Sequence, residues 1–210
     1  AAGLFNAAML LQGGEIAAIR RKIDLPNYGV FDEKRVFDAA PPQGPISFRG
    51  VRLGLMVCED MWEGEVSETL ADSGAEIFVV INGSPYEFEK RDVRLQLAGA
   101  RVAAHELPLI YVNQVCGQDE LVFDGGSFAL DPDGRLVAQL PVFRESVALA
   151  RWERRGERWH CVEAPQEKLV NGAEEIYGAL RLGLHDYVEK NGFPGVVIGL
   201  SGGRPSATRP

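Results

Sequence analysis

The succession of elements predicts a layered α/β protein. Three observations carry that prediction. Apolar, strand-like runs alternate with amphipathic, helix-like runs as far as Val115. Strand-like runs then succeed one another without helices between them, and a last helix and strand follow a polar linker. The 210 residues are 46% apolar and 25% charged, enough to bury a core in one full domain with part of a second.

Taken in order, Asn6 to Leu11 and Ile16 to Arg20 flank Gln12-Gly13-Gly14-Glu15 and predict a hairpin about a Gly-Gly turn. Residues 22–50 show little periodicity and many breakers (Pro26, Asn27-Tyr28-Gly29, Pro41-Pro42, Gly44-Pro45), so a long ordered loop is expected. Val51 to Met56 carries one charge and predicts a buried strand that ends at Cys58. A short helix over Glu63–Ser73 presents Val66 and Leu70 at i, i+4, and Ala75–Ile81 is a second buried strand ending at Asn82-Gly83-Ser84-Pro85. Glu87–Leu107 is a long helix with Val93, Leu97, Ala100 and Ala104 on one face, followed by a strand over Leu109–Val115. Val122–Leu149 reads as antiparallel strands punctuated by Asp124-Gly125-Gly126 and Asp131-Pro132-Asp133-Gly134. Glu163 to Lys168 has linker composition. Beyond it, Ala173–Lys190 is a helix with Ile176, Leu180, Leu184 and Tyr187 on one face, closed by Asn191-Gly192. A buried strand over Gly195–Leu200 and Ser201-Gly202-Gly203 follow. The expected division is residues 1–162, a linker at 163–172, and the start of a second domain at 173–210.

Composition removes several classes of function. A net charge of −8 with no basic stripe offers nothing to neutralise phosphates, which argues against nucleic acid as a partner. Cys58, Cys116 and Cys161 are widely spaced, with no CxxC and no histidine pair nearby. That pattern argues against a disulfide framework or a zinc site, so no metal site is expected, and it points to a reducing cytoplasm. No apolar run approaches a membrane span, so no membrane partner is expected, and the N-terminus shows no signal-peptide pattern. The chain opens at Ala1-Ala2-Gly3 and stops soon after a new element begins, which reads as an internal piece of a longer protein.

Chemistry is expected at Cys58. A cysteine at the exit of a buried strand is rigidly held and faces the region where α/β proteins place their sites, although free cysteine by itself mostly behaves as a small hydrophobe. Lys22, at the hairpin end, would favour a thiolate if buried nearby and would stabilise an oxyanion; a solvated lysine is the plainer reading. Ser84 and Lys90 follow the next strand end and fall on the same rim; a turn serine and a solvated lysine are their plainer readings. The Asp124-Gly125-Gly126-Ser127 turn offers backbone amides, or is simply a hairpin turn.

These motifs carry a resemblance. Val57-Cys58-Glu59-Asp60-Met61-Trp62 resembles the nucleophile segment of the nitrilase/amidase superfamily. More narrowly, Lys22-Ile23-Asp24-Leu25-Pro26-Asn27-Tyr28-Gly29-Val30-Phe31-Asp32-Glu33 resembles the lysine loop of glutamine-dependent NAD synthetases. Tyr111-Val112-Asn113-Gln114 with Gly117 to Ser127 is similar to the same group, and Gly199-Leu200-Ser201-Gly202-Gly203 resembles the opening of its SGGxDS pyrophosphate-binding loop. The resemblance implies a nitrilase-like four-layer α-β-β-α sandwich, incomplete at its N-terminus, followed by the first helix and strand of a Rossmann-like ATP-pyrophosphatase domain.

It further implies a Glu-Lys-Cys triad that hydrolyses glutamine, with Cys58 as nucleophile and Lys22 as the triad lysine. Tyr28, Ser84 and Lys90 fall at glutamine-contacting positions. The resemblance also places the triad glutamate in a segment before the lysine loop; Glu15, in a hairpin turn where it would be solvated, does not fit that role, so the segment is expected to be missing from this chain. Ammonia would pass to a synthetase domain that uses ATP with Mg2+ to convert nicotinic acid adenine dinucleotide to NAD, in a homo-oligomeric parent. The ATP loop would comprise Gly199, Ser201, Gly202, Gly203 and Ser206, but it is degraded: Pro205 stands where the family has aspartate, removing a carboxylate and a backbone donor. Cys116 stands where glycine is expected and is read as a packed strand-end residue. Two rival readings are a stand-alone nitrilase-type amidase or carbamoylase, and a catalytically inactive binding or assembly module. By itself the 210-residue chain is expected to be inactive.

Overall fold

The structure is a computed structural model and describes residues 3–199. Strands β1 (Ala7–Gln12) and β2 (Glu15–Arg21) pair antiparallel, with a register shift at Leu10/Leu11. The turn between them has Gly13 and Gly14 at φ 63° and 84°, a left-handed region where a Cβ would be strained. After the loop come β3 (Ile46–Phe48), β4 (Val51–Val57) and a short 3-10 turn, Cys58–Met61. Next are α1 (Gly64–Asp72), β5 (Ile77–Asn82), α2 (Lys90–His105) and β6 (Leu109–Asn113). Strands β7 (Val115–Gln118), β8 (Leu121–Asp124), β9 (Phe128–Leu130) and β10 (Leu136–Gln139) follow. The hairpin β11 (Arg151–Arg155) and β12 (Arg158–Glu163) precedes α3 (Gly172–Lys190).

The main sheet has the order β10-β9-β6-β5-β4-β3. Its centre is parallel: Val57 pairs with Ile81, and Ile81 with Val112, so the three strands end level. Both flanks are antiparallel. The core lies between this sheet and α1 and α2. There Met56, Phe78, Val80, Leu109 and Tyr111 meet Val66 and Leu70 of α1 and Ala98 and Val102 of α2. Burying each of the larger side chains contributes about 1.5–3 kcal/mol. A smaller cluster on Ala129, Val137 and Ala138 is covered by Trp152 and Cys161 of the β11–β12 hairpin. No described helix is long and apolar enough to cross a membrane.

Four expectations are corrected. The buried face of α2 is Arg94, Ala98 and Val102, one residue round from the expected stripe, and Val93 is exposed. Periodicity counted only apolar residues, whereas Arg94 is buried because the fold supplies partners for its guanidinium. Helix α3 likewise turns Ile176, Leu180, Leu184 and Tyr187 outward and docks through small residues, with Gly183 against Gly117 and Val122. The short β3 and the polar β11–β12 hairpin lacked an apolar signature and were not anticipated. The expected strand at Gly195–Leu200 has no regular structure over residues 195–199, where Val197 is fully exposed. Among the described residues no strand pairs with it, and an isolated strand leaves its backbone hydrogen bonds unmade. Ser201, Gly202, Gly203 and Ser206 lie outside the described residues. The linker segment is held against β10, with Gln139 N–H donating to Pro165 O (2.9 Å) and Glu167 N–H to Gln139 O (3.0 Å).

Candidate active site

The level ends of β4, β5 and β6 bring the chemistry-bearing residues to one rim. Cys58 is the first residue past β4, 9% exposed, and its φ of 49° lies in the left-handed region. For a non-glycine residue that conformation costs about 1–3 kcal/mol and persists only where its surroundings impose it. Burial pushes the Cys58 thiol above its ordinary range; Lys22 opposes that shift, Glu59 and Glu33 add to it, and a hydrogen bond from the Gly83 N–H lowers it. The expectation that Lys22 favours the thiolate is right in sign, but desolvation outweighs it in the ligand-free site.

Lys22 follows β2 directly and is 1% exposed. Its N–H donates to Asn6 O (2.8 Å), its carbonyl accepts from Ala40 N–H (3.0 Å), and its Nζ donates to Glu33 Oε1 at 2.8 Å. Glu33 Oε2 is buried with no partner among the described groups. Glu33 and Asp60 were assigned no role from sequence. Their only signal was an acid ten positions beyond the lysine's neighbour and an acid two beyond the cysteine, which mean nothing until the loop folds back. Glu15, the one carboxylate of residues 3–21, is exposed as expected, but as the first residue of β2 rather than in the turn.

A cavity of about 600 Å³ opens on Cys58. Tyr28, Glu59, Trp62, Ser84, Glu87, Phe88 and Lys90 line it, so all three expected substrate contacts stand around the thiol. The Tyr28 hydroxyl donates to Glu59 Oε1 (2.8 Å), and burial with that bond pushes its pKa upward. Lys90 Nζ, at the start of α2, pairs with Glu87 Oε1 of the preceding loop at 2.5 Å. Ser84 is buried and already engaged: its N–H donates to Asn113 Oδ1 (3.0 Å) and its Oγ accepts from Arg94 Nε (3.1 Å).

The Asp124-Gly125-Gly126 turn does not face the thiol with free amides. Gly125 N–H donates to Gln114 O and Gly126 N–H to Pro141 O, while Asp124 receives Arg94 Nη1 at 2.9 Å on both oxygens. Cys116 sits opposite Phe123 in the β7–β8 hairpin, away from the cavity.

One group of side chains among the described residues is close enough to share a cation: Asp131, Asp133 and His160, with ligand atoms within 4.8 Å. It lies at the β9–β10 turn, at the other end of the sheet. Asp131 Oδ2 pairs with Arg135 (3.2 Å), and His160 Nδ1 lies 3.3 Å from Asp131 Oδ1. Gly199, the one described member of the expected ATP loop, is exposed and irregular, and the other members lie outside the described residues.

Residues 1–158 match the carbon-nitrogen hydrolase family. The chain is 47% identical to the glutamine-dependent NAD(+) synthetase of Rhodobacter capsulatus over 98% of its length, and 36% identical to that of Acinetobacter baylyi over 97%. It spans only 37% of the length of either relative. Among solved structures, the glutamine-dependent NAD+ synthetase of Acinetobacter baumannii in complex with ADP matches with a TM-score of 0.87 at 37% identity, over 95% of this chain and 38% of that one. An amidase from Nesterenkonia, carrying an acrylamide adduct at its active-site cysteine, matches with a TM-score of 0.53 at 32% identity, over 60% of this chain and 48% of that one. With a cysteine at a strand end opening on a cavity, and with three quarters of its length matching the family, the chain belongs to the carbon-nitrogen hydrolases.

Proposed function

We propose that this chain carries the glutamine-hydrolysing part of a glutamine-dependent NAD(+) synthetase. The observation that carries the reading is Cys58 in a cavity rimmed by Tyr28, Ser84 and Lys90, with the buried Lys22 ammonium acting on its thiol from outside the cavity lining. Cys58 Sγ attacks the side-chain amide carbon of glutamine, and the carbonyl π electrons move to oxygen. Lys22 Nζ and a backbone N–H beside Cys58 stabilise that oxyanion. Collapse expels ammonia, which takes up the proton released from the thiol, and leaves a thioester; water then cleaves it to glutamate and restores the thiol. The acid-base carboxylate of the triad is, by likeness to the family, a glutamate ahead of the lysine loop. Glu33 is the carboxylate bonded to Lys22 among the described residues.

Residues 1–162 form this unit, 163–172 the connection and 173–210 the start of the next. The ammonia would feed an ATP- and Mg2+-dependent amidation of nicotinic acid adenine dinucleotide elsewhere in a homo-oligomeric enzyme, and no step here is routed through it. Three unpaired thiols fit a reducing cytoplasm. The amidase reading is weaker, because the amidase match covers 60% of the chain and the synthetase match 95%.

The test is covalent labelling with a glutamine analogue whose side-chain amide is replaced by a chloroketone. Cys58 alone should be alkylated, glutamine should protect it, and Cys58→Ala should abolish labelling. Protection by simple aliphatic amides as strong as by glutamine would favour the amidase, and labelling at Cys116 or Cys161 would refute the site. Ammonia release from glutamine by the 210-residue chain alone should be near background.

A further inference from the structure

Asp60 lies two residues past the nucleophile and is 3% exposed, but it does not face the cavity. Its carboxylate is fully occupied by backbone. Oδ1 accepts from the N–H groups of Ile23 (3.0 Å) and Asp24 (2.8 Å), and Oδ2 accepts from the N–H of Val57 (2.9 Å). Ile23 and Asp24 directly follow Lys22, and Val57 directly precedes Cys58. One buried carboxylate thus ties together two segments more than thirty residues apart in sequence, each at the residue next to a catalytic group.

We propose that Asp60 is a positioning residue that sets the approach of the Lys22 ammonium to the Cys58 thiol by clamping their neighbouring amides. The proposal rests on the reading of Cys58 as the nucleophile. Three features favour a clamp over simple loop packing. The three donors converge on a single ionisable group, and charge-assisted bonds of this kind are stronger and shorter than neutral ones. Ile23 and Asp24 N–H have no backbone acceptor among the described residues, so without Asp60 they would be half-buried orphans. Cys58 holds a left-handed φ, which needs a rigid flank, and the Val57 N–H bond supplies one. Asp60 is not a base for the thiol, because both its oxygens point at amides.

The test reads Cys58 alkylation by iodoacetamide across pH on the full chain, with Cys116 and Cys161 followed by peptide mapping as internal references. The charged groups that act on Cys58 are Lys22, Glu59 and Glu33. In Asp60→Asn one acceptor oxygen becomes an NH₂ facing a backbone donor, so the clamp opens while the side-chain volume is kept. Alkylation of Cys58 should slow about tenfold at neutral pH, since a less well placed ammonium raises the thiol pKa. The rates should converge with the unmodified protein at alkaline pH, where the thiol is ionised in both. Lys22→Met should show the same profile, and the double variant no further change. An Asp60→Asn protein that keeps the unmodified profile, or a double variant whose effects multiply, overturns the proposal. Should Asp60→Asn fail to fold, hydrogen exchange on the unmodified chain decides. The Ile23, Asp24 and Val57 amides should be protected as a set, and exchange of Ile23 and Asp24 at open-loop rates overturns the clamp. None of these readings uses glutamine, so they stand or fall separately from the labelling experiment.

Discussion

Two ion pairs, one wholly buried and one half-buried at its carboxylate, are built to opposite ends. Arg94 and Asp124 are both almost wholly buried, and every direction of the guanidinium is used: Nη1 on Asp124, Nε on Ser84 Oγ, Nη2 on the carbonyls of Ser84 and Pro85. Lys22 and Glu33 form the other pair at 2.8 Å, but Lys22 makes one side-chain hydrogen bond among the described residues and Glu33 Oε2 makes none. The first pair is saturated and shapes the Ser84 loop whose Gly83 N–H meets the thiol. The second keeps hydrogen-bonding capacity in reserve, and an ammonium with unused donors is what an oxyanion needs. The same chemistry serves as scaffold when satisfied and, in the proposed mechanism, as machinery when left partly open.

The largest effect should come from breaking the saturated pair. Arg94→Met strands Asp124 among buried groups and should cost about 3–5 kcal/mol, read as a lowered midpoint in urea unfolding. A loss under about 1 kcal/mol would mean that the network is not the scaffold argued here. Glu33→Gln should cost less, about 1–3 kcal/mol, because that side chain is 19% exposed and keeps an acceptor for Lys22. It should also speed Cys58 alkylation at neutral pH, since the Glu33 charge holds the thiol up. Slower alkylation would instead show that Glu33 matters chiefly by aiming Lys22, which would sharpen the contrast between the pairs.

The smallest effect concerns the docking of α3 at Gly117. Burial alone pushes the Asp186 carboxyl up, but the hydrogen bond from Gly117 N–H (2.8 Å), with His185 and Lys190 beside it, outweighs that and leaves it below its ordinary value. A depressed carboxylate pKa stabilises the docked state above the ordinary range and loses that stabilisation as pH falls through the lowered value. Exchange protection of the Gly117 amide should therefore hold from neutral pH down to about 4 and decline below it. Protection unchanged down to pH 2 would remove Asp186 from the docking contact.

What the sequence by itself determined is local. The Gly13-Gly14 turn, the apolar β4 and β5, the α1 face of Val66 and Leu70, and Cys58 at a strand exit all follow from residues within one element. Their signals, φ above zero and period-2 or period-3.6 apolar patterning, need nothing distant. The family motifs add Lys22, Tyr28, Ser84 and Lys90, and the fold brings Tyr28, Ser84 and Lys90 around the thiol, with Lys22 buried behind.

Only the tertiary structure decided which polar residues are inside. Arg94 turns α2 by one position, Asp60 and Glu33 act across loops that sequence shows only as irregular, and α3 chooses glycines over its own leucines as its docking face. In each case the deciding term is a partner supplied from far along the chain. Arg94 and Asp60 are buried where three or more partners await each of them, and a glycine face is chosen where Gly117 and Gly183 allow two backbones to meet. Pattern reading counts hydrophobic area, and area cannot report a partner that folding has yet to deliver.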